Sequence, residues 1–197
     1  ATLIDAGSDS IVTDIDSADF DGGTLTVAIT SNLVAAEDLL TLDTSGNIAL
    51  SGTTAGSTVA IAGTVVGTLA NAITEGADLV INLTDQATLS NLPSLLRAIQ
   101  YQNTETTTPT TTARAIQVTL TDGDGGTSTV NTATITVTEA VRTVTLSVSA
   151  ASGTEAGATA ITVSATADAS VTGNQTINLD VAGSNITADD CTLRTPP

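Results

Sequence analysis

The chain has 197 residues, enough for one large or two small domains that each bury a core. Its formal net charge is −17, with no Lys and only Arg97, Arg114, Arg142 and Arg194 as cations, which argues against nucleic acid and anionic membranes as partners. Aromatics make up 1% of the chain, namely Phe20 and Tyr101, so stacking platforms for bases or sugars are missing, while 41% hydrophobic residues argue for a folded rather than a disordered protein.

Residues 2–13 alternate weakly and reach Ile11 and Val12. They run into the most unusual stretch of the chain, where Asp14, Asp16, Asp19 and Asp21 fall within eight residues and end on Gly22 and Gly23. No Lys, Arg or His occurs before Arg97, so no cation close in sequence neutralises them. Two unit charges about 6 Å apart repel by roughly 3 kcal/mol at an effective dielectric near 20. A bound hard cation would turn that repulsion into attraction. Ca2+ takes six to eight oxygens in a forgiving geometry, which suits an Asp-rich, Gly-bent loop without nitrogen or sulfur ligands. The alternative is a solvated turn, because Asp bonds its own backbone and Gly accepts positive φ. The EF-hand pattern does not fit, since Ala18 occupies the third acidic slot and no Glu closes the loop. The glycine-rich nonapeptide repeat of calcium-binding β-helices is also absent.

Beyond this loop Leu25, Val27 and Ile29 alternate with Thr24, Thr26, Ala28 and Thr30, the period of a half-buried strand. Phe20 is expected to fold inward and pin the acidic loop to the core. Further strands are expected near 38–43, 47–51, 57–61, 64–68 and 78–83, separated by glycine-containing breaks. Residues 88–98 predict a short helix, with Ser90 or Asn91 as cap, Pro93 in the first turn, and Leu92, Leu95 and Leu96 on one face. The chain returns to strand at 99–102, and residues 104–113, Thr-rich with Pro109, read as a loop. Ile116, Val118 and Leu120 mark another strand, and residues 130–137 return beside it as a hairpin. The turn between them, Asp122-Gly123-Asp124-Gly125-Gly126, repeats the Asp/Gly chemistry of the first loop and is a second candidate calcium loop, with a solvated turn again the alternative.

Val, Ile and Thr dominate the periodic stretches, so an all-β fold is expected. Cys191 is the single cysteine, which excludes an internal disulfide. Asn82, Asn174 and Asn185 open Asn-x-Thr sequons, which chance supplies in so Thr-rich a chain. Residues 44–74 carry no charge but never offer about 18 consecutive apolar residues, so no membrane insertion is expected there. The start at Ala1, without Met or a leader pattern, suggests a segment of something longer.

Three stretches taken together resemble the cadherin-like tandem repeats of giant bacterial surface proteins. They are Asp14-Ile15-Asp16-Ser17 with Asp19-Phe20-Asp21-Gly22-Gly23, then residues 95–104 (Leu95-Leu96-Arg97-Ala98-Ile99-Gln100-Tyr101-Gln102-Asn103-Thr104), then Thr119-Leu120-Thr121-Asp122-Gly123-Asp124-Gly125-Gly126. The resemblance covers residues 1–140 and implies an Ig-like β-sandwich, calcium binding, adhesion and an extracellular location. The chain departs from animal cadherins in lacking their Asp-x-Asn-Asp-Asn linker, in whose place stand Thr138-Glu139-Ala140-Val141. Residues 141–197 resemble the opening of a Calx-beta domain, with Ser152-Gly153-Thr154-Glu155-Ala156-Gly157 as its turn and residues 183–191 as a later segment in which Cys191 replaces the family's Tyr. That likeness implies a metal role for Glu155, Asp189 and Asp190, with exposed turn acids as the alternative.

The expected architecture is therefore a cadherin-like sandwich with one short helix over 1–140 and a partial Calx-beta-like unit over 141–197. The expected metal ligands are Asp14, Asp16, Asp19, Asp21, Asp122, Asp124, Glu139 and Glu155. Ig strand order predicts two sites at opposite ends, with the 14–21 acids nearer Glu139 and with Asp122 and Asp124 nearer Asp5 and Asp9. The expected function is a non-catalytic, calcium-stiffened extracellular module of a surface adhesin, its partners neighbouring repeats, identical chains, or a cell-surface or matrix ligand. An Ig-type sandwich needs about 100 residues and seven strands, more than the second unit offers. The other reading is thus a filament or surface-layer subunit completed by a neighbour's strand. Catalysis is not expected: without His or Lys only carboxylate pairs remain for acid and base work, and the aromatic-lined cleft of a glycosidase is missing.

Overall fold

The computed structural model describes residues 1–139, 143–149 and 162–167. The chain divides into two compact units, Ala1–Ala140 and Val141–Pro197.

The regular structure of the first unit is nearly all antiparallel strand. Its chain order is β1 (Thr2–Leu3), β2 (Thr24–Ser31), β3 (Asp38–Leu42), β4 (Ile48–Leu50), β5 (Thr58–Ile61), β6 (Thr64–Leu69), β7 (Leu79–Leu83), helix α1 (Leu92–Arg97), β8 (Ile99–Asn103), β9 (Arg114–Leu120) and β10 (Asn131–Ile135). Seven strands pair in the order β10-β9-β2-β7-β6-β5-β4, and three in the order β1-β8-β3, the arrangement of a β-sandwich. Alternation in the sequence supplies the reason. In β2 Leu25 and Val27 are fully buried while Thr24 and Thr26 are half-buried. In β3 Leu40 and Leu42 face inward and Leu39 and Thr41 do not. The inward set from both sheets, with Leu92 and Leu95 of α1, forms one continuous hydrophobic cluster. Each such Leu or Ile contributes roughly 1.5–3 kcal/mol by leaving water.

Helix α1 takes the predicted place. Pro93 stands in its first turn, and Leu92 and Leu95 are buried, with Leu96 packed against the core. Asn91 precedes it but does not cap it by side chain: its Oδ1 accepts from the Thr88 amide (2.9 Å) and its amide donates to Gln86 O (2.8 Å), so the residue braces the preceding turn instead.

The two sheets are also joined by a buried ion pair that the sequence pattern did not lead us to expect. Arg114 of β9 is 0% exposed, and its Nε donates to both carboxylate oxygens of Asp38 of β3 at 3.1 Å. Tyr101 Oη donates to Asp38 Oδ1 at 2.6 Å, the Val34 amide to Asp38 Oδ2 at 2.7 Å, and Arg114 Nη2 lies 3.5 Å from Glu37 Oε2. Arg114 Nη1 donates to the carbonyls of Thr110 and Thr112. Burial, then the Asp38 carboxylate, pushes the Tyr101 phenol up to about 12. Breaking one partner of such a pair strands the other charge without solvent.

In the second unit β11 (Val144–Val148) and β12 (Val163–Ala167) pair antiparallel, Leu146 opposite Ala165 and Val148 opposite Val163. Glu155, Asp189, Asp190 and Cys191 lie outside the described residues.

Candidate metal centre

The acidic loop and the Asp122 turn lie at the same end of the large sheet, which corrects the two-ended arrangement expected from Ig strand order. Strand pairing is the reason. β9 runs antiparallel to β2, with Leu25 opposite Leu120 and Thr26 opposite Thr119. The segment entering β2 and the segment leaving β9 are therefore neighbours. Thr24 and Thr121 tie them: the Thr24 amide donates to Thr121 Oγ1 (2.8 Å) and the Thr121 amide to Thr24 O (2.9 Å). Gly23 and Gly123 make the approach sterically feasible. A Cβ on Gly23 would collide with the Thr121 carbonyl, and one on Gly123, whose φ is +92°, with that of Asp21.

Within this junction Asp14, Asp16 and Asp122 each present a carboxylate oxygen within 4.8 Å of the others, a group that could hold a metal ion. The loops orient them by local hydrogen bonds. Asp14 Oδ1 accepts the amides of Asp16 and Ser17, both at 3.1 Å, and Asp122 Oδ1 accepts those of Asp124 (2.9 Å) and Gly126 (2.8 Å). Asp122 is buried, Asp14 half-buried and Asp16 exposed, so the group runs from the sheet end outward. Phe20 fixes the base of the loop as expected. Its ring is 2% exposed, and its amide donates to Ala87 O at 2.9 Å.

Electrostatics records the crowding. The amides of Asp16 and Ser17 hold the Asp14 carboxyl below its ordinary value, whereas the Asp14 carboxyl beside it, by hydrogen bond and by charge, raises that of Asp16. Asp122 adds to the same rise. Among the described residues both ion pairs belong to Arg114, so no Arg pairs with any of the three acids.

The other expected ligands fall around or away from this group. Asp124 Oδ2 accepts from Ser17 Oγ at 3.3 Å, a further bond between the two segments, and Asp19 Oδ1 accepts the Asp21 amide at 3.2 Å. Glu139 is exposed and follows β10, whose last residue Ile135 pairs with Arg114 at the far end of β9. Of the 14–21 acids, Asp14 and Asp16 converge on Asp122, while Asp19 and Asp21 are not part of the group, and neither is Glu139. Asp5 is held within its own turn, accepting from Ser10 N and Oγ. Glu155 lies outside the described residues. The class that fold and site define is an all-β sandwich module with a three-carboxylate cluster able to take a metal ion. No family model, curated protein or solved structure matches the chain.

Proposed function

We propose that the first unit is a non-catalytic calcium-binding module of an extracellular surface adhesin, with the ion held at Asp14, Asp16 and Asp122. One observation carries the reading: carboxylates from two loops far apart in sequence are brought within 4.8 Å of one another, with no arginine among the described residues paired to them. With one oxygen each, three carboxylates supply half or fewer of the oxygens that Ca2+ takes, and loop carbonyls and water would complete the shell. The absence of nitrogen and sulfur donors disfavours Zn2+ and Cu2+. Bound at the junction, the ion would clamp the 14–23 loop to the β9–β10 turn and stiffen that end of the sandwich. The cadherin-like resemblance of residues 1–140 supports the extracellular, adhesive part of the reading. The test is thermal unfolding with calcium and with chelator. At a free calcium concentration 100 times Kd the ion adds about 2.7 kcal/mol, and the unfolding temperature rises. An unchanged unfolding temperature at millimolar calcium contradicts it.

A second reading, a self-assembling subunit completed by a neighbour's strand, has its own observation. Val144, Leu146 and Val148 of β11 alternate on one face, together with Val163 of β12, and are 44–58% exposed. Among the described residues of this unit these are the two strands, a pair that by itself would be marginal in water, and such a face favours a partner sheet. Sedimentation velocity separates the readings: polymers dissociated by Leu146→Asp favour assembly, and a monomer at all concentrations removes it.

A further inference from the structure

The connection between β8 and β9 holds seven threonines and Pro109 between residues 104 and 112. The structure sets two groups among these threonines apart. Thr104 Oγ1 donates to Glu37 O at 3.2 Å and Thr110 Oγ1 to Glu37 Oε1 at 2.9 Å, so both are turned onto the anchor beneath the loop. The Thr110 amide also donates to Glu37 Oε2 (2.9 Å), and Arg114 holds the Thr110 and Thr112 carbonyls. Thr108, Thr111 and Thr112 are exposed, and their hydroxyls make no hydrogen bond among the described residues. They flank Pro109, which removes an amide donor and biases its neighbour toward extended backbone.

We propose that this loop is an O-glycosylation site, with Thr108, Thr111 and Thr112 as acceptors. A transferase needs a hydroxyl in a segment that can enter its cleft without stripping a β-ladder. Threonines in the strands fail that condition because their backbones are paired in the sheets, whereas residues 104–113 belong to no strand. Clustered threonine with proline is also the composition of O-glycosylated stalks. In the transfer a threonine Oγ bonds to the anomeric carbon of a phosphate-activated glycosyl donor. The anomeric bond to the phosphate oxygen breaks, the phosphate leaves with the electron pair, and the hydroxyl proton passes to a base of the transferase. The Glu37 and Arg114 anchor keeps the loop seated, so the added sugar projects into solvent and shields an exposed segment from proteases. The site is independent of the metal reading.

The test is site-localising fragmentation mass spectrometry of the full chain isolated from the cells that produce it. Saccharide on one or more of Thr108, Thr111 and Thr112 is expected, and a T108V/T111V/T112V variant made in the same cells loses it while keeping its unfolding temperature. A mass equal to that of the bare polypeptide, phosphate in place of sugar at these positions, or saccharide confined to other residues overturns the proposal.

Discussion

Asp14 and Asp122, contributed by the loop before β2 and the turn after β9, hold carboxylate oxygens within 4.8 Å of each other, with Asp16 as the third member of the group. The fold imposes this proximity. Antiparallel pairing of β2 with β9 places the start of one strand beside the end of the other, and the backbone bonds of Thr24 and Thr121 close the gap. Repulsion among the three acids is a cost that a bound cation would remove.

Asp16→Asn is therefore expected to act with opposite signs on stability and on binding. The raised Asp16 carboxyl binds its proton more readily in the folded chain than in the unfolded one. That group favours the fold at low pH and loses this contribution as pH rises through its folded value. Asp14, held low, does the reverse: its contribution is present above the ordinary carboxyl range and disappears as pH falls through the lowered value. At neutral pH in chelator D16N should unfold at a temperature equal to or above that of the parent. Its calcium affinity should fall about tenfold or more, since ligand charge count tunes such sites over that range. Scanning calorimetry with and without calcium reads both effects.

Arg114→Met should cost about 3–5 kcal/mol, because it leaves the buried Asp38 carboxylate without its cation. D38N combined with R114M should recover part of the loss. Urea unfolding of the two variants, compared at an unchanged m-value, checks both statements.

Tyr101 is the chain's one tyrosine, so its titration is directly visible by ultraviolet absorbance. Its phenol is pushed up to about 12, and no phenolate signal is expected while pH rises through 10 to 11. The unfolded chain ionises first. Stability present below pH 10 is thus lost progressively as pH approaches 12. Phenolate appearing near 10 in the folded protein would contradict the buried bond to Asp38.

Phe20→Ala should destabilise the fold by about 3–5 kcal/mol through the cavity it leaves. It should also weaken calcium binding, because Phe20 roots the loop that carries Asp14 and Asp16. Calorimetric titration at a temperature where the variant remains folded separates the second effect from the first.

Much of this fold was legible from periodicity. The alternation of Leu25, Val27 and Ile29 marked β2, Leu92 and Leu95 marked the buried face of α1, and Phe20 alone among acids announced an inward ring. Periodicity tells which side chains face the core, and it is silent about which strands become neighbours. The adjacency of β2 and β9, and with it the single acid cluster in place of two, depended on long-range pairing that Ig strand order misassigned. The ion pair was missed for a different reason, although a signal existed. Arg114 stands in phase with Ile116 and Leu120, and Asp38 in phase with Leu40 and Leu42, so each charge occupies an inward position. Two opposite charges at core positions of different strands are a pairing prediction in themselves.

The most direct measurement of the central claim is isothermal titration of the chelator-treated protein with Ca2+, beside a D14N/D16N/D122N variant. The account predicts saturable binding by the parent and its loss in the variant, with circular dichroism showing both folded. No binding by the parent at millimolar calcium, or equal binding by the two proteins, contradicts it.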